Sequence, residues 1–412
     1  MISAFKKQIY INIILFFFLS QVSGFSDSPF SPGDIIDTED TGIVKEADIR
    51  QECLPYFEYF IVPAAHYDVA TYRIIYRSTD VDGEPADITA QLFVPVFDRK
   101  TERPLYVFGS GTTGIADQCA PSIEDPEIRV LGHYRGYTMS FAGLGYISII
   151  PDYLGFNDPA RPQRYFSKAA EAHVMLDAVR AVRNFLEQNG SGAVLSEKVF
   201  LSGYSQGGHA AFAAADLRDE YAPDVPITGV IGYGSTPNVA TLLKEGPRYA
   251  PHVLYSYSQI YDDIDPAKYL KEKWAVSLAE DVAVMCVTEF QQYYPRDARE
   301  LYRPEFYRSL YHGNLEDDFP ALYRRLEENK SGLSGHGIPS LIIQGARDTI
   351  ITTLSQTDFA KELCEAGSRV RYFVLEGVHH KYTRAAGFQA AVLWMNRLVR
   401  GKEPESDCEL LK

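Results

Sequence analysis

A serine inside a glycine-flanked turn, a later aspartate and a still later histidine are the residues of this chain whose spacing could carry covalent chemistry. Gly203-Tyr204-Ser205-Gln206-Gly207 fits the pattern G-x-S-x-G. Residues 199–202 read Val-Phe-Leu-Ser and have strand character, whereas residues 208–213 read Gly-His-Ala-Ala-Phe-Ala and have helix character. A strand, a tight turn and a helix around the serine form the setting of a nucleophile elbow, which exposes the hydroxyl at a helix N-terminus. Such a turn is strained and packs closely, which is why glycines flank it. A serine hydroxyl remains a weak nucleophile until a base takes its proton. The chain must therefore supply a base, and a carboxylate to orient that base.

Around an elbow of this kind the chain order is serine, acid, histidine. Asp348 follows the apolar run 341–343 and the turn 344–347, which places it at the end of a late strand. Its other reading is an N-cap of the next helix. Asp358 comes later but falls within a helical stretch. Only His379 and His380 follow Asp348, so either can serve as the base. The negative charge that develops on an attacked carbonyl calls for two backbone N–H donors. Gln206, the residue after the nucleophile, should supply one. The loop Gly109-Ser110-Gly111-Thr112-Thr113-Gly114 should supply the other, from Thr112 or alternatively Thr113. No Gly-Lys-Ser/Thr follows these glycines, so the loop is not a phosphate cradle. His209 lies four residues after Ser205, where a helix would hold it below the elbow, and it reads as a structural histidine.

These residues need a scaffold of alternating strands and helices. Residues 71–77 and 88–94 read as a strand pair with Asp82-Gly83 in the turn. Strands follow at 105–108, 146–150, 199–201, 227–231, 341–344 and 370–375. Residues 167–188 carry apolar side chains at helical spacing and stop at Asn189-Gly190. This alternation predicts an α/β fold, a mainly parallel central sheet flanked by helices. Between 238 and 335 the rhythm is lost, and Tyr and Pro are frequent. That stretch reads as a helical cap insertion over the sheet edge where active sites of open α/β sheets lie. The chain then divides into a signal peptide (1–24), an exposed lead-in (25–50), a first part of the core (51–237), the cap or lid (238–335) and a second part of the core (336–412). Tyr255-Ser256-Tyr257 and Tyr293-Tyr294 in the insertion suggest either an aromatic pocket or core packing.

The signal-peptide reading rests on Lys6 and Lys7, the short apolar run 9–19, and small residues before a cut near Phe25. That run is too short to span a bilayer, so the expected product is a secreted or periplasmic protein. The formal net charge is -15 and no basic run is present. Such a surface repels phosphate backbones, which excludes nucleic acid as a partner. Of the five cysteines, Cys364 and Cys408 are the pair we expect to bond and tie down the C-terminal tail in an oxidising compartment. Neither CxxC nor a His/Cys cluster appears, so no metal is expected.

Three stretches together resemble the secretory lipase family of the α/β-hydrolase superfamily. They are GSGTTGIADQCAPS at 109–122, IIPDYLGF at 149–156 and GYSQGGHAA at 203–211. The acid loop GARDT and the turn GVHH fit the same scheme, and the G-x-x-H spacing of that pattern selects His380 over His379. Ser110 departs from the histidine that often precedes the glycine of the oxyanion loop. The resemblance implies a carboxylesterase or triacylglycerol lipase. It would act on a small-molecule or lipid ester without a cofactor, with transient contact at a lipid surface. The rival readings are a peptidase or aminopeptidase on the same fold, an acyltransferase, and a non-catalytic binding protein on a hydrolase scaffold.

Overall fold

The computed structural model describes residues 31–125, 130–158, 161–190 and 192–412. The expected signal peptide lies outside them. Nine strands form one sheet in the order β1-β2-β3-β5-β4-β6-β7-β8-β9. β1 (Ile35–Val44), β2 (Val69–Thr79) and β3 (Pro85–Pro95) are antiparallel neighbours, and Gly83 makes the expected turn with φ +87°. From β5 (Ile147–Pro151) through β4 (Thr101–Gly109), β6 (Ala193–Tyr204), β7 (Gly229–Tyr233), β8 (Ser340–Gly345) and β9 (Val370–Leu375) the pairing is parallel. β5, β7 and β8 are buried at every position, as strands covered on both faces must be.

The two-residue period of β4 divides the core. Leu105 and Val107 point to one side and pack with α3 (Lys168–Asn189) and α4 (Gln206–Tyr221). Tyr106 and Phe108 point to the other, where α1 (Glu46–Cys53), α2 (Tyr134–Gly143) and the last long helix, Thr383–Val399, contribute Ile49, Phe141, Phe388 and Trp394. The ends of α3 are set locally. The Ser167 hydroxyl accepts from Ala170 N–H at the start, and Gly190 turns left-handed with φ +60° at the end.

Part of the exposed lead-in is structured: residues 35–44 form β1, paired with β2 from Ile35↔Tyr76 to Val44↔Val69. Most of its side chains stay exposed, so the pairing is a backbone matter and leaves no apolar alternation to read. Between β7 and β8 the chain winds through short helices with an apolar cluster of their own. Tyr257 and Tyr294 are buried in that cluster and serve core packing, while Tyr293 is exposed. Cys364 bonds Cys408, as expected, and a second disulfide joins Cys119 to Cys286. Cys53 is a buried free thiol.

Candidate active site

β6 delivers Ser205 to the top of the sheet, and α4 begins at the next residue. Ser205 has φ +54° and ψ -113°, a conformation that a side-chain-bearing residue adopts only under constraint. Its N–H donates to Tyr233 O at 3.0 Å, and its own carbonyl accepts from Gly208 and Thr236 N–H. The flanking glycines are required by space. A Cβ at Gly203 would fall 1.8 Å from Gly207 O, and one at Gly207 would fall 1.9 Å from Gly109 O.

Asp348 leaves the turn after β8 and His380 the turn after β9. His380 Nδ1 lies 2.6 Å from Asp348 Oδ2. The other carboxylate oxygen accepts from Ile350 and Ile351 N–H at 2.9 and 3.0 Å, which fixes the plane of the carboxylate. With Nδ1–H donated to the aspartate, the lone pair of the imidazole is on Nε2. His379 is exposed, whereas His380 is 6 % exposed. Ser205, His380 and Thr112 line one cavity of about 400 Å³, together with Tyr249, Val287 and Gln291 from the segment between β7 and β8.

In the loop expected to supply an oxyanion donor, the Thr112 hydroxyl is 2.7 Å from Tyr165 OH. Thr113 is buried, and its carbonyl accepts from Val287 N–H, which ties this loop to the insertion. The Cys119–Cys286 disulfide adds a covalent tie beside Gly114. Gln206 is buried at the start of α4 and its side-chain amide donates to Glu171 at 2.8 Å. His209 is the structural residue expected. Its Nδ1 is 2.5 Å from Glu171 Oε2 and its Nε2 is 2.7 Å from Asn329 O.

Several residues around this cavity had no signature in sequence. Glu171 is one polar position on an apolar helix face, and its role appears only once α3 packs on α4. Tyr204 sits inside the elbow motif at one of its two variable positions, yet its ring lies 4.9 Å from the His380 ring. Arg384, four residues beyond His380, lines the same cavity.

The family model for secretory lipases matches residues 138–407. A secreted triacylglycerol lipase of Malassezia globosa is 23 % identical over 375 residues, covering 85 % of this chain and 75 % of the relative. Lipase A of Arthroderma benhamiae is 26 % identical over 376 residues, covering 86 % and 76 %. Among solved structures, a ligand-bound form of the rice cell wall degrading esterase of Xanthomonas oryzae superposes with a TM-score of 0.72 at 20 % identity, covering 90 % of this chain and all of that one. The α/β fold expected from the alternation of elements, and the α/β-hydrolase fold that the resemblance implies, is the one these neighbours share.

Proposed function

The chain belongs to the secretory lipase family, and from that premise we propose that it hydrolyses carboxylic esters through an acyl intermediate on Ser205. One observation carries the residue assignment: the 2.6 Å bond from His380 Nδ1 to Asp348 Oδ2, made behind the cavity that Ser205 lines. In this reading His380 Nε2 takes the hydroxyl proton as Ser205 attacks the ester carbonyl. Asp348 holds the imidazole in that tautomer and stabilises the imidazolium. The N–H groups of Gln206 and Thr112 receive the oxyanion, and His380 returns the proton to the leaving alcohol. Water, deprotonated by the same histidine, then releases the acid.

The relatives named as triacylglycerol lipases favour acylglycerols or related esters as substrates, and their description as secreted supports an extracellular site of action. Residues 238–335 act as the cap, because Tyr249, Val287 and Gln291 close one side of the cavity.

The test is to treat the mature protein with a fluorophosphonate, map the adduct, and follow p-nitrophenyl esters of increasing chain length. The expected result is labelling of Ser205 and a loss of turnover in Ser205→Ala on the order of a million-fold, as in comparable triads. Folded protein that neither takes the label nor cleaves any ester would reject the proposal. The chain-length profile separates an esterase from a lipase.

A further inference from the structure

Arg384 is 2 % exposed and stands at the wall of the cavity that Ser205 and His380 line. Among the described residues it forms no ion pair. Its Nη2 donates to Gly132 O at 2.9 Å, while Nε and Nη1 have no hydrogen-bond partner. Its guanidinium carbon lies 4.3 Å from the ring centroid of Tyr56, 4.6 Å from Tyr134, 4.7 Å from Tyr204 and 4.9 Å from Tyr137. Ring faces attract a cation but do not neutralise it.

Three costs converge on this side chain. A buried charge loses its hydration. Two of its donors face no acceptor. It also sits in the first turn of the helix Thr383–Val399, where the helix dipole opposes a cation. The buried carboxylate of Glu124 makes no direct ion pair with Arg384. Its oxygens are occupied by the N–H groups of Leu131, Gly132, His133 and Arg135.

The cavity shares this imbalance. None of its described lining residues is a carboxylate, and Lys381 joins Arg384 there. The charged side chains on the cavity wall, besides His380 and His133, are thus the cations Lys381 and Arg384 in a chain of formal net charge -15, while the carboxylates of Asp348 and Glu124 are bonded to lining residues from behind the wall. Arg384 is close to the chemistry, because Tyr204 touches both it and the His380 ring.

We propose that Arg384 is a specificity-determining residue and that the preferred substrate is an ester carrying an anionic group, a carboxylate, a short linker away from the scissile bond. This rests on the ester-hydrolase reading above. The carboxylate meets the guanidinium at the cavity wall once the tyrosine rings that cover its free donors shift aside, with Lys381 reinforcing the field, and Tyr204 sets the distance between the anion and the attacked carbonyl. A planar guanidinium with unused donors suits a carboxylate better than an ammonium would.

The test compares kcat/KM of the full mature chain for the monoethyl esters of succinic, glutaric and adipic acid with ethyl esters of neutral acids of the same lengths, by ethanol release. At least one acidic ester should be preferred by roughly 10- to 100-fold, the scale of a charge-assisted hydrogen bond. In Arg384→Gln that ratio should collapse toward one. Because Arg384 is packed among rings and its variant can misfold, the wild-type protein is also assayed for competitive inhibition by glutarate against glutaramide. Glutarate should inhibit and the diamide should not. Turnover of neutral esters and Ser205 labelling with no preference for any acidic ester and no glutarate inhibition would overturn this inference alone. A preference kept in folded Arg384→Gln would equally overturn the assignment to Arg384. Absence of both labelling and ester turnover would instead remove the hydrolase reading on which it depends.

Discussion

Gly234 presses against His380: a Cβ at this glycine would stand 3.0 Å from the His380 Nδ1 atom and 3.2 Å from Asp348 Oδ2. Gly234 follows β7 directly and has φ +49°. Its hydrogen atom is thus part of the wall that holds imidazole and carboxylate together. Gly234→Ala should wedge a methyl into that contact and add a left-handed backbone cost of about 1 kcal/mol. We expect kcat to fall by roughly 10- to 100-fold, the scale of a small misplacement in a reacting geometry, with KM little changed. Steady-state kinetics on the folded variant decide this. An unchanged kcat would mean that the His380–Asp348 contact tolerates displacement.

The two adjacent histidines should separate cleanly. His380→Ala is expected to lose at least about 10,000-fold in kcat, and Asp348→Asn a comparable factor, since in the proposed mechanism either change removes the oriented base. His379→Ala should stay within about twofold, because its side chain is exposed and the backbone of the turn is kept. The reverse order for the histidines in an ester assay would reassign the base.

Glu171 receives three donors, from Phe166 N–H, the Gln206 amide and the His209 ring. Glu171→Gln places an amide donor among donors and leaves at least one unsatisfied, a cost of about 1–3 kcal/mol. Gln206 heads the elbow helix, so the disturbance should reach the oxyanion position. The expected signature is a kcat about tenfold lower with KM nearly constant, on the scale of lost geometry, together with a lower Tm. A stability loss with no change in kcat would confine Glu171 to holding α3 against α4.

His252 offers a pH test of the insertion. It packs on Phe290 at 4.1 Å between ring centroids, and neither ring nitrogen has a hydrogen-bond partner. Burial pushes it down from an ordinary 6.5 to about 3. Between these values the unfolded chain binds the extra proton and the folded chain does not. Stability is therefore fully present above about pH 6.5 and is lost as pH falls toward 3. His252→Phe should flatten that part of the profile, an effect of up to a few kcal/mol at the acid end. Urea midpoints of both proteins between neutral and mildly acidic pH measure it. Parallel profiles would assign the acid sensitivity to other groups.

What could be read in advance divides along the range of the interactions. The elbow is local: glycines, strand and helix between residues 199 and 213 state it, and the order of Asp348 and His380 along the chain follows from the fold that the elbow implies. Strand centres were legible because burial on both faces demands continuous apolar runs such as 341–343. β1 was not, since an edge strand bonds through its backbone and IIDTEDTGIV keeps most of its side chains in solvent. The Cys119–Cys286 pairing, the Glu171–His209 contact and the aromatic surround of Arg384 were also hidden. Each joins segments distant in sequence, and none leaves a periodic trace.

The Cys119–Cys286 bond has a consequence for survival in a protease-rich medium. It closes a ring that contains the elbow and the first stretch of the insertion, with a sequence separation of 167 between its two ends. A single backbone cut anywhere in that ring would not release a fragment. The severed ends would remain tethered through the sulfur bridge, and the packed sheet would keep them in register. Nicked protein would therefore migrate as one species on a non-reducing gel and as two after thiol treatment. Wear of the exposed loops would then be separated from loss of the nucleophile.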